Sequence, residues 1–521
     1  MTSINAGQAA AQDVVFIFLG NPSAYDPAPA EVERIDTHAA VVFLAGNFAY
    51  KIKRALRLPY LDFGTLEKRR AVCAHELEIN RRTAPDIYLD VVPIVRRDDG
   101  SLGIGGKGIA VEWAVKMRRF DSEGLFDRLA RDCKLPIDMM APLAAEIAAL
   151  HAGERARRKV DGLKIIEDVI AMIASALRKA PPLLNEKDVK SFAADMLREL
   201  RDSSNLLQTR ARQGYVRHCH GDLHLQNIVA VDGGPVLFDA IEFDDDIATN
   251  DILYDLAFLL MDLWHRGLTS HANAVFNAYL RHEVTGRPLG SLRGLALLPL
   301  FLATRAGVRA MVTLDRMHFT SGPAQKAAQS DLEDFFALAR AFLRPHPPRL
   351  IAVGGLSGTG KSTLAAGLAP GIGAAPGALV VRSDTERKRL AGVGETVRLV
   401  GKHYSTAATA RVYRSLYAKA RVALAAGHSV VLDAVFARPH QRKRAEELAR
   451  QAGVPFTGLW LEAPDRDLIE RVEARTGDAS DASASVVRRQ LGYKTGEISW
   501  THIDASGCPE TVRKRALTLI G

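Results

Sequence analysis

Two stretches of this 521-residue chain combine residue types and spacings that phosphate chemistry requires. In the second half, Gly355-Leu-Ser357-Gly358-Thr359-Gly360-Lys361-Ser362-Thr363 fits GxxxxGK(S/T), the Walker A pattern, directly after an apolar strand pattern over 350–353. Glycines in such a loop let backbone N–H groups turn inward around phosphate oxygens. Lys361 then reaches the outer phosphates, and the Ser362 hydroxyl can ligand Mg2+. Thr363 opens the helical pattern, 363–368, that the motif needs behind it. The alternative is a strand-to-helix turn with no ligand. In the first half, His220-Gly221-Asp222-Leu-His224-Leu-Gln-Asn227 fits HxDxxxxN. Asp222 can accept or orient the proton of an attacking hydroxyl, while Asn227, at the other end of the loop, can ligand Mg2+. The alternative is a buried histidine and a capping aspartate. His220 reads as a structural brace, and His224 as a loop residue rather than a metal ligand.

Further carboxylates stand where these loops need them. One strand pattern, 378–381, leads to Asp384, and another, 429–432, ends at Asp433. Strands of a parallel sheet that end in Asp beside a phosphate loop put carboxylates at the sheet edge where ligands bind. Asp433 suits the Mg2+ shell and Asp384 a general base; the alternative is that each caps the next helix. After Asn227 a hairpin, 228–231 and 235–238, turns at Asp232-Gly233-Gly234 and ends at Asp239. Upstream, the strand Ala49-Tyr50-Lys51-Ile52-Lys53 offers two lysines on one face, because strand side chains alternate.

The elements that must position these groups fall into blocks. Arg344-Pro345-His346-Pro347-Pro348-Arg349 cannot continue a helix and favours extended backbone. It separates a helical pattern, 324–343, from the strand before the glycine-rich loop, so domains are expected at 1–344 and 349–521. Up to about residue 117 the pattern is mostly strands (40–45, 49–53, 91–96, 110–117). Beyond it come helices such as 137–151 and 165–177. This predicts a small strand-rich lobe, about 14–117, and a helical lobe, about 118–344. Gly103-Ile-Gly105-Gly106-Lys-Gly108 reads as a hairpin turn. The fold class expected is a two-lobed α+β kinase-like domain followed by an α/β P-loop domain with a parallel sheet.

Composition narrows the class. Hydrophobic residues make up 47% and charged residues 25%, which excludes disordered, collagen-like and fibrous chains. Four scattered cysteines argue against a disulfide scaffold and a CxxC zinc site. The N-terminus lacks a basic start, and the apolar runs are too short for a signal-peptide core or a membrane span. A cytoplasmic protein without membrane contact is expected. From Arg349 onward 26 basic residues face 16 acidic ones, out of 69 and 60 in the whole chain, so this third holds all the positive excess. Such a domain attracts phosphorylated ligands or nucleic acid, or is merely soluble.

The second-half residues resemble the P-loop small-molecule kinases: gluconate kinase, polynucleotide 5′-hydroxyl kinase, zeta toxin and relatives. The resemblance implies that Asp384 activates the acceptor hydroxyl, that Arg387 holds an anionic part of the acceptor, and that Arg471 and Arg475 are lid arginines near the transferring phosphoryl group. The alternative for the last two is a solvated helix face. The HxDxxxxN loop, the segment Val236-Leu-Phe-Asp239 and Tyr254-Asp255-Leu256-Ala257 are similar to aminoglycoside phosphotransferases and fructosamine kinases. That likeness implies a metal-binding Asp239 and an Asp255 that supports the catalytic loop. It also favours Lys51 as the lysine on the ATP phosphates, with Glu76 as its partner and Glu78 in reserve. Over nearly its whole length the chain resembles a bacterial fusion of these two kinds of domain. The implied activity is ATP- and Mg2+-dependent phosphoryl transfer to small hydroxyl compounds by both halves. One active half with a nucleotide-sensing partner is the second reading. Polynucleotide 5′-kinase activity is disfavoured by the lack of an aromatic-rich basic stretch, and protein kinase activity by the lack of a glycine-rich loop in the small lobe.

Overall fold

A computed structural model describes residues 6–37, 39–58, 61–287, 289–317, 321–474 and 479–520. The backbone gathers into two compact units. One runs up to Gly162 and includes Ala211–Leu259; the other holds Leu163–Arg210 and everything from Leu260 on.

The first unit contains a six-stranded antiparallel sheet. Its strands are β1 (Val32–Asp36), β2 (Ala40–Ala45), β3 (Phe48–Lys53), β4 (Tyr88–Arg96), β5 (Leu102–Ile104) and β6 (Ile109–Arg118). They lie in the order β1-β2-β3-β6-β4-β5. The glycine-rich segment before Ile109 is not a simple hairpin: β5 and β6 both pair with β4, on opposite sides. Alternation puts Val41, Phe43, Tyr50 and Ile52 into one core, and turns Lys51 and Lys53 to the other face. Helix α1 (Leu66–Asn80) covers that face. It starts at Thr65, whose hydroxyl accepts the Lys68 N–H. Helix α2 (Met140–Gly153), the hairpin β7 (Ile228–Val231) and β8 (Gly234–Leu237), and most of α3 (Ile252–His265) complete the unit.

The second unit holds a parallel five-stranded sheet: β9 (Leu350–Gly355), β10 (Leu379–Arg382), β11 (Val430–Asp433), β12 (Phe456–Glu462) and β13 (Thr501–Asp504), in the order β10-β11-β9-β12-β13. Central strand β9 is buried along its whole length, as expected of a parallel strand covered on both faces. The expected combination of a kinase-like N-terminal region and a P-loop C-terminal region is what the chain adopts.

The compact units divide the chain elsewhere than the proline-rich stretch, and within the second unit helix α4 (Thr269–Tyr279) packs on the parallel sheet. It covers the free edge of β10. Asn277 Oδ1 accepts the Val380 N–H at 2.7 Å, and Asn273 Nδ2 donates to the carbonyls of Pro376 and Ala378 at 3.0 Å each. Edge-strand groups that would otherwise be open are thereby satisfied. Among the described residues one helical run, Gly290–Met317, is long and apolar enough to cross a membrane, and 67% of its most apolar window is buried inside the protein.

Candidate active sites

The first site is built on a loop braced from below. Asp255 on α3 is fully buried. Its carboxylate accepts the backbone N–H groups of Gly221 at 2.9 Å and His220 at 3.2 Å, and pairs with His151 Nε2 at 3.1 Å. Gly221 sits at φ +81°, with Ile241 2.9 Å from where a Cβ would stand, so the turn needs glycine. His220 bonds through Nε2 to the Phe238 carbonyl, and burial depresses its pKa. Asp255→Ala removes the buried acceptor shared by His151 and two backbone N–H groups. It is expected to lower the unfolding free energy by about 3–5 kcal/mol, measurable as a downshifted first transition in denaturant titration.

Beside this brace several polar side chains meet. Asn227 Nδ2 donates to the Asp222 carbonyl oxygen at 2.9 Å and to its carboxylate at 3.0 Å. His224 Nε2 lies 3.2 Å from the same carboxylate. Across from them, Lys51 Nζ bonds to Glu76 Oε1 at 2.7 Å and to Asp239 Oδ1 at 2.5 Å. Burial works against charge on Lys51, but Asp239 and Glu76 outweigh it and raise its pKa. Glu78 instead lies exposed beside His75. Lys53 is 1% exposed and turned inward. Of the two strand lysines, only Lys51 faces the Asp239 carboxylate.

The second site lies at the C-terminal edge of the parallel sheet, where β9 passes through the glycine-rich loop into α5 (Lys361–Leu368). A cleft of roughly 490 Å³ is lined by Ser357, Gly358, Gly360, Lys361, Ser362 and Thr363 on one side. Thr359 is buried beneath, its hydroxyl donating to the Leu356 carbonyl at 2.8 Å. Gly355, at φ +138°, packs against the Leu461 carbonyl. Ser362 Oγ donates to Asp433 Oδ2 at 2.6 Å, and Arg382 Nε is 3.3 Å from the same oxygen. Lys361 Nζ bonds to the Leu356 carbonyl at 2.7 Å. Asp384 opens helix α6 (Ser383–Ala391) across the cleft; burial and the nearby Asp433 push its pKa up.

Arg387 also lines this cleft, its Nη1 donating to the His403 carbonyl at 2.6 Å and its guanidinium 4.6 Å from the Tyr404 ring. Arg471 does not line it. Helix α7 (Asp465–Glu473) buries Leu468 and Val472, and the neighbouring Arg471 reaches away to the Ala505 carbonyl at 3.0 Å. The expected lid position at Arg471 is therefore replaced by a structural contact. Arg475 lies outside the described residues. Sequence reasoning missed Arg398, Tyr404, Asp481 and Arg489, which also line the cleft. Asp481 fastens this wall: it accepts from Lys388 Nζ at 2.6 Å, Tyr404 Oη at 2.5 Å and the Leu399 N–H at 3.0 Å.

One further cluster joins His75, His218 and Asp245, with both Nε2 atoms within 3.1 Å of Asp245 Oδ1. Arg82 Nη1 contacts His218 Nδ1 at 3.0 Å. With Arg82 on its other ring nitrogen, His218 joins His75 and Asp245 in one hydrogen-bonded cluster.

Comparison with known proteins identifies the two kinds of domain. Residues 119–293 match the family described as "Phosphotransferase enzyme family", and residues 350–495 match the family described as "AAA domain". The chain is 31% identical over 490 residues to "Uncharacterized protein Rv2004c" of Mycobacterium tuberculosis (strain H37Rv), covering 91% of this chain and 92% of that protein. A choline kinase structure from Cryptosporidium parvum Iowa II is similar at 10% identity and a TM-score of 0.39, over 64% of this chain and 96% of that one. A sugar kinase structure from a Janibacter species is similar at 24% identity and a TM-score of 0.26, over 33% of this chain and 95% of that one. The chain thus belongs to the family of the mycobacterial protein Rv2004c and is an ATP-dependent kinase, with a phosphotransferase-family domain followed by a P-loop kinase-like domain.

Proposed function

We propose that the chain is a bifunctional cytoplasmic phosphotransferase, each half moving the γ-phosphate of ATP to a hydroxyl of a small-molecule acceptor. The observation that supports this reading is the grouping of polar side chains in each half. In each, a lysine, a candidate base and metal-type oxygen ligands stand together.

In the first half, Lys51 binds the phosphates once they draw it from Asp239. Asp222 accepts the acceptor's hydroxyl proton as that oxygen bonds to the γ-phosphorus. The bond from phosphorus to the β,γ-bridging oxygen breaks, and ADP leaves. In the second half, Asp384 takes the proton. Burial and the neighbouring Asp433 strengthen its hold on that proton. Lys361 and the loop N–H groups hold the phosphates, and Arg387 orients an anionic acceptor.

The ligand sets fit Mg2+. Asn227 uses only its amide nitrogen on Asp222, while Asp239 supplies a carboxylate; Ser362 and Asp433 already stand as a hydroxyl–carboxylate pair. When bound, the ion offsets charge on the phosphates. The test is to incubate the protein with Mg-ATP and a cytosolic metabolite extract and follow phosphorylated species by mass spectrometry. One product should vanish with Asp222→Ala only and another with Lys361→Ala only. Loss of every product in a single variant, or no product at all, contradicts two independent transfers.

A further inference from the structure

Glu76 is fully buried, and each of its oxygens faces a lysine ammonium. Oε1 accepts from Lys51, and Oε2 lies 2.7 Å from Lys53 Nζ. The Lys53 ammonium also bonds to Glu242 and stands 5.7 Å from the centre of the Phe63 ring. Charges therefore alternate along one row: Asp239, Lys51, Glu76, Lys53, Glu242. The Asp239 side chain is 39% exposed, whereas the Lys53 and Glu242 side chains are 2% and 10% exposed. The segment carrying Asp239 and Glu242 is stitched to the small lobe at three more points. The Asp239 N–H donates to Tyr88 Oη at 3.1 Å, the Ala240 N–H to Asn80 Oδ1 at 2.8 Å, and Asp245 meets His75 on α1 at 3.1 Å.

We propose that Lys53 and Glu242 are positioning residues of the first site. Their buried pair holds Glu76 in place, so that Lys51 and Asp239 are presented to one nucleotide. The inference rests on the reading that Lys51 and Asp239 bind Mg-ATP. When phosphates draw Lys51 from Asp239, Lys53 remains the constant partner of Glu76. Without Lys53, two buried carboxylates repel one another with no cation between them. Glu76 then moves or takes up a proton, and its hold on Lys51 is lost.

The test uses the full chain carrying Lys361→Ala, which silences the second site, titrated calorimetrically with AMP-PNP and Mg2+. Glu242→Gln and Lys53→Met are each expected to weaken binding about tenfold or more at unchanged stoichiometry. Their combination should weaken it by less than the product of the two, since it removes the stranded charge. Damage to folding alone would lower the number of competent sites and leave the affinity of the remainder unchanged; that result overturns the proposal. Should Lys53→Met not fold, Glu242→Gln decides, because its amide keeps a hydrogen bond to Lys53. Lys51→Ala and Asp239→Asn separate the two levels of the account. If they weaken binding while the positioning variants stay within twofold, the positioning role is wrong. If neither weakens it, the underlying nucleotide site is wrong.

Discussion

Asp222→Asn is expected to slow first-half transfer by about 10²–10⁴-fold, the usual cost of removing a positioned general base. The substitution keeps the shape of the side chain and a hydrogen-bonding partner for Asn227, which now donates to the carboxylate at 3.0 Å. It removes the basic oxygen. The loop should stay in place, because Asp255 grips it through the backbone of His220 and Gly221, independent of the Asp222 side chain. Nucleotide affinity should therefore stay within about twofold. The measurement is the initial rate of the product that Asp222→Ala abolishes, beside AMP-PNP titration of the same variant. The second-half product, made at the cleft of Lys361 and Asp384, should form at the unaltered rate.

Gly358→Ala is expected to eliminate nucleotide binding at the second site. Gly358 sits at φ +90°, and a Cβ there would stand 2.5 Å from the Leu468 carbonyl oxygen and 2.9 Å from its Cα. The left-handed conformation alone costs an L-residue about 1–2 kcal/mol. The obstacle is backbone of α7, which cannot swing aside as a flexible side chain would. Relief requires the loop to move, and the loop's N–H groups are what bind the phosphates. Ser357 is held by its N–H bond to Gln490 Oε1 at 2.8 Å, on helix α8 (Ala484–Leu491), so the loop has little freedom to adjust. A loss of about 100-fold or more follows from a displacement of even one ångström. Titration with AMP-PNP should show the second-site isotherm gone and the first unchanged. By contrast, Gly360→Ala meets no atom within 4 Å and is opposed only by its φ of +86°, so its effect should be smaller.

Much of this was legible from residue spacing. Strands such as Ala40–Ala45 and Ile228–Val231 were readable because alternation and turn residues bound them on both sides. Asp222 and Asn227 stand at the two ends of one short loop, so their spacing put them together, whereas Asp433 meets Ser362 from 71 residues away and was readable only as a strand ending at the sheet edge beside the glycine-rich loop. Spacing could not separate Lys51 from Lys53, because period two puts them on one face; what separates them is depth beneath α1 and the position of Glu242, 189 residues away in sequence. Arg471 and Arg475 are four positions apart in sequence, which suggested a shared helix face, but a helix's rotation about its axis is set by which residues it buries, and Leu468 and Val472 turn Arg471 away. The cleft wall of Arg398, Tyr404 and Arg489 comes from distant segments tied by Asp481, with no motif to announce it. The bonding of Asn273 and Asn277 to the edge of β10 is equally silent in sequence: two asparagines one helical turn apart are ordinary surface residues until a strand lies against them.

The central claim is that two separate nucleotide sites operate in one chain. Calorimetric titration of the full chain with AMP-PNP and Mg2+ tests it most directly. The account predicts two sites per chain, one left after Lys51→Ala and one left after Lys361→Ala, with the remaining affinity in each unchanged. A single site per chain, or one variant abolishing both, would contradict it.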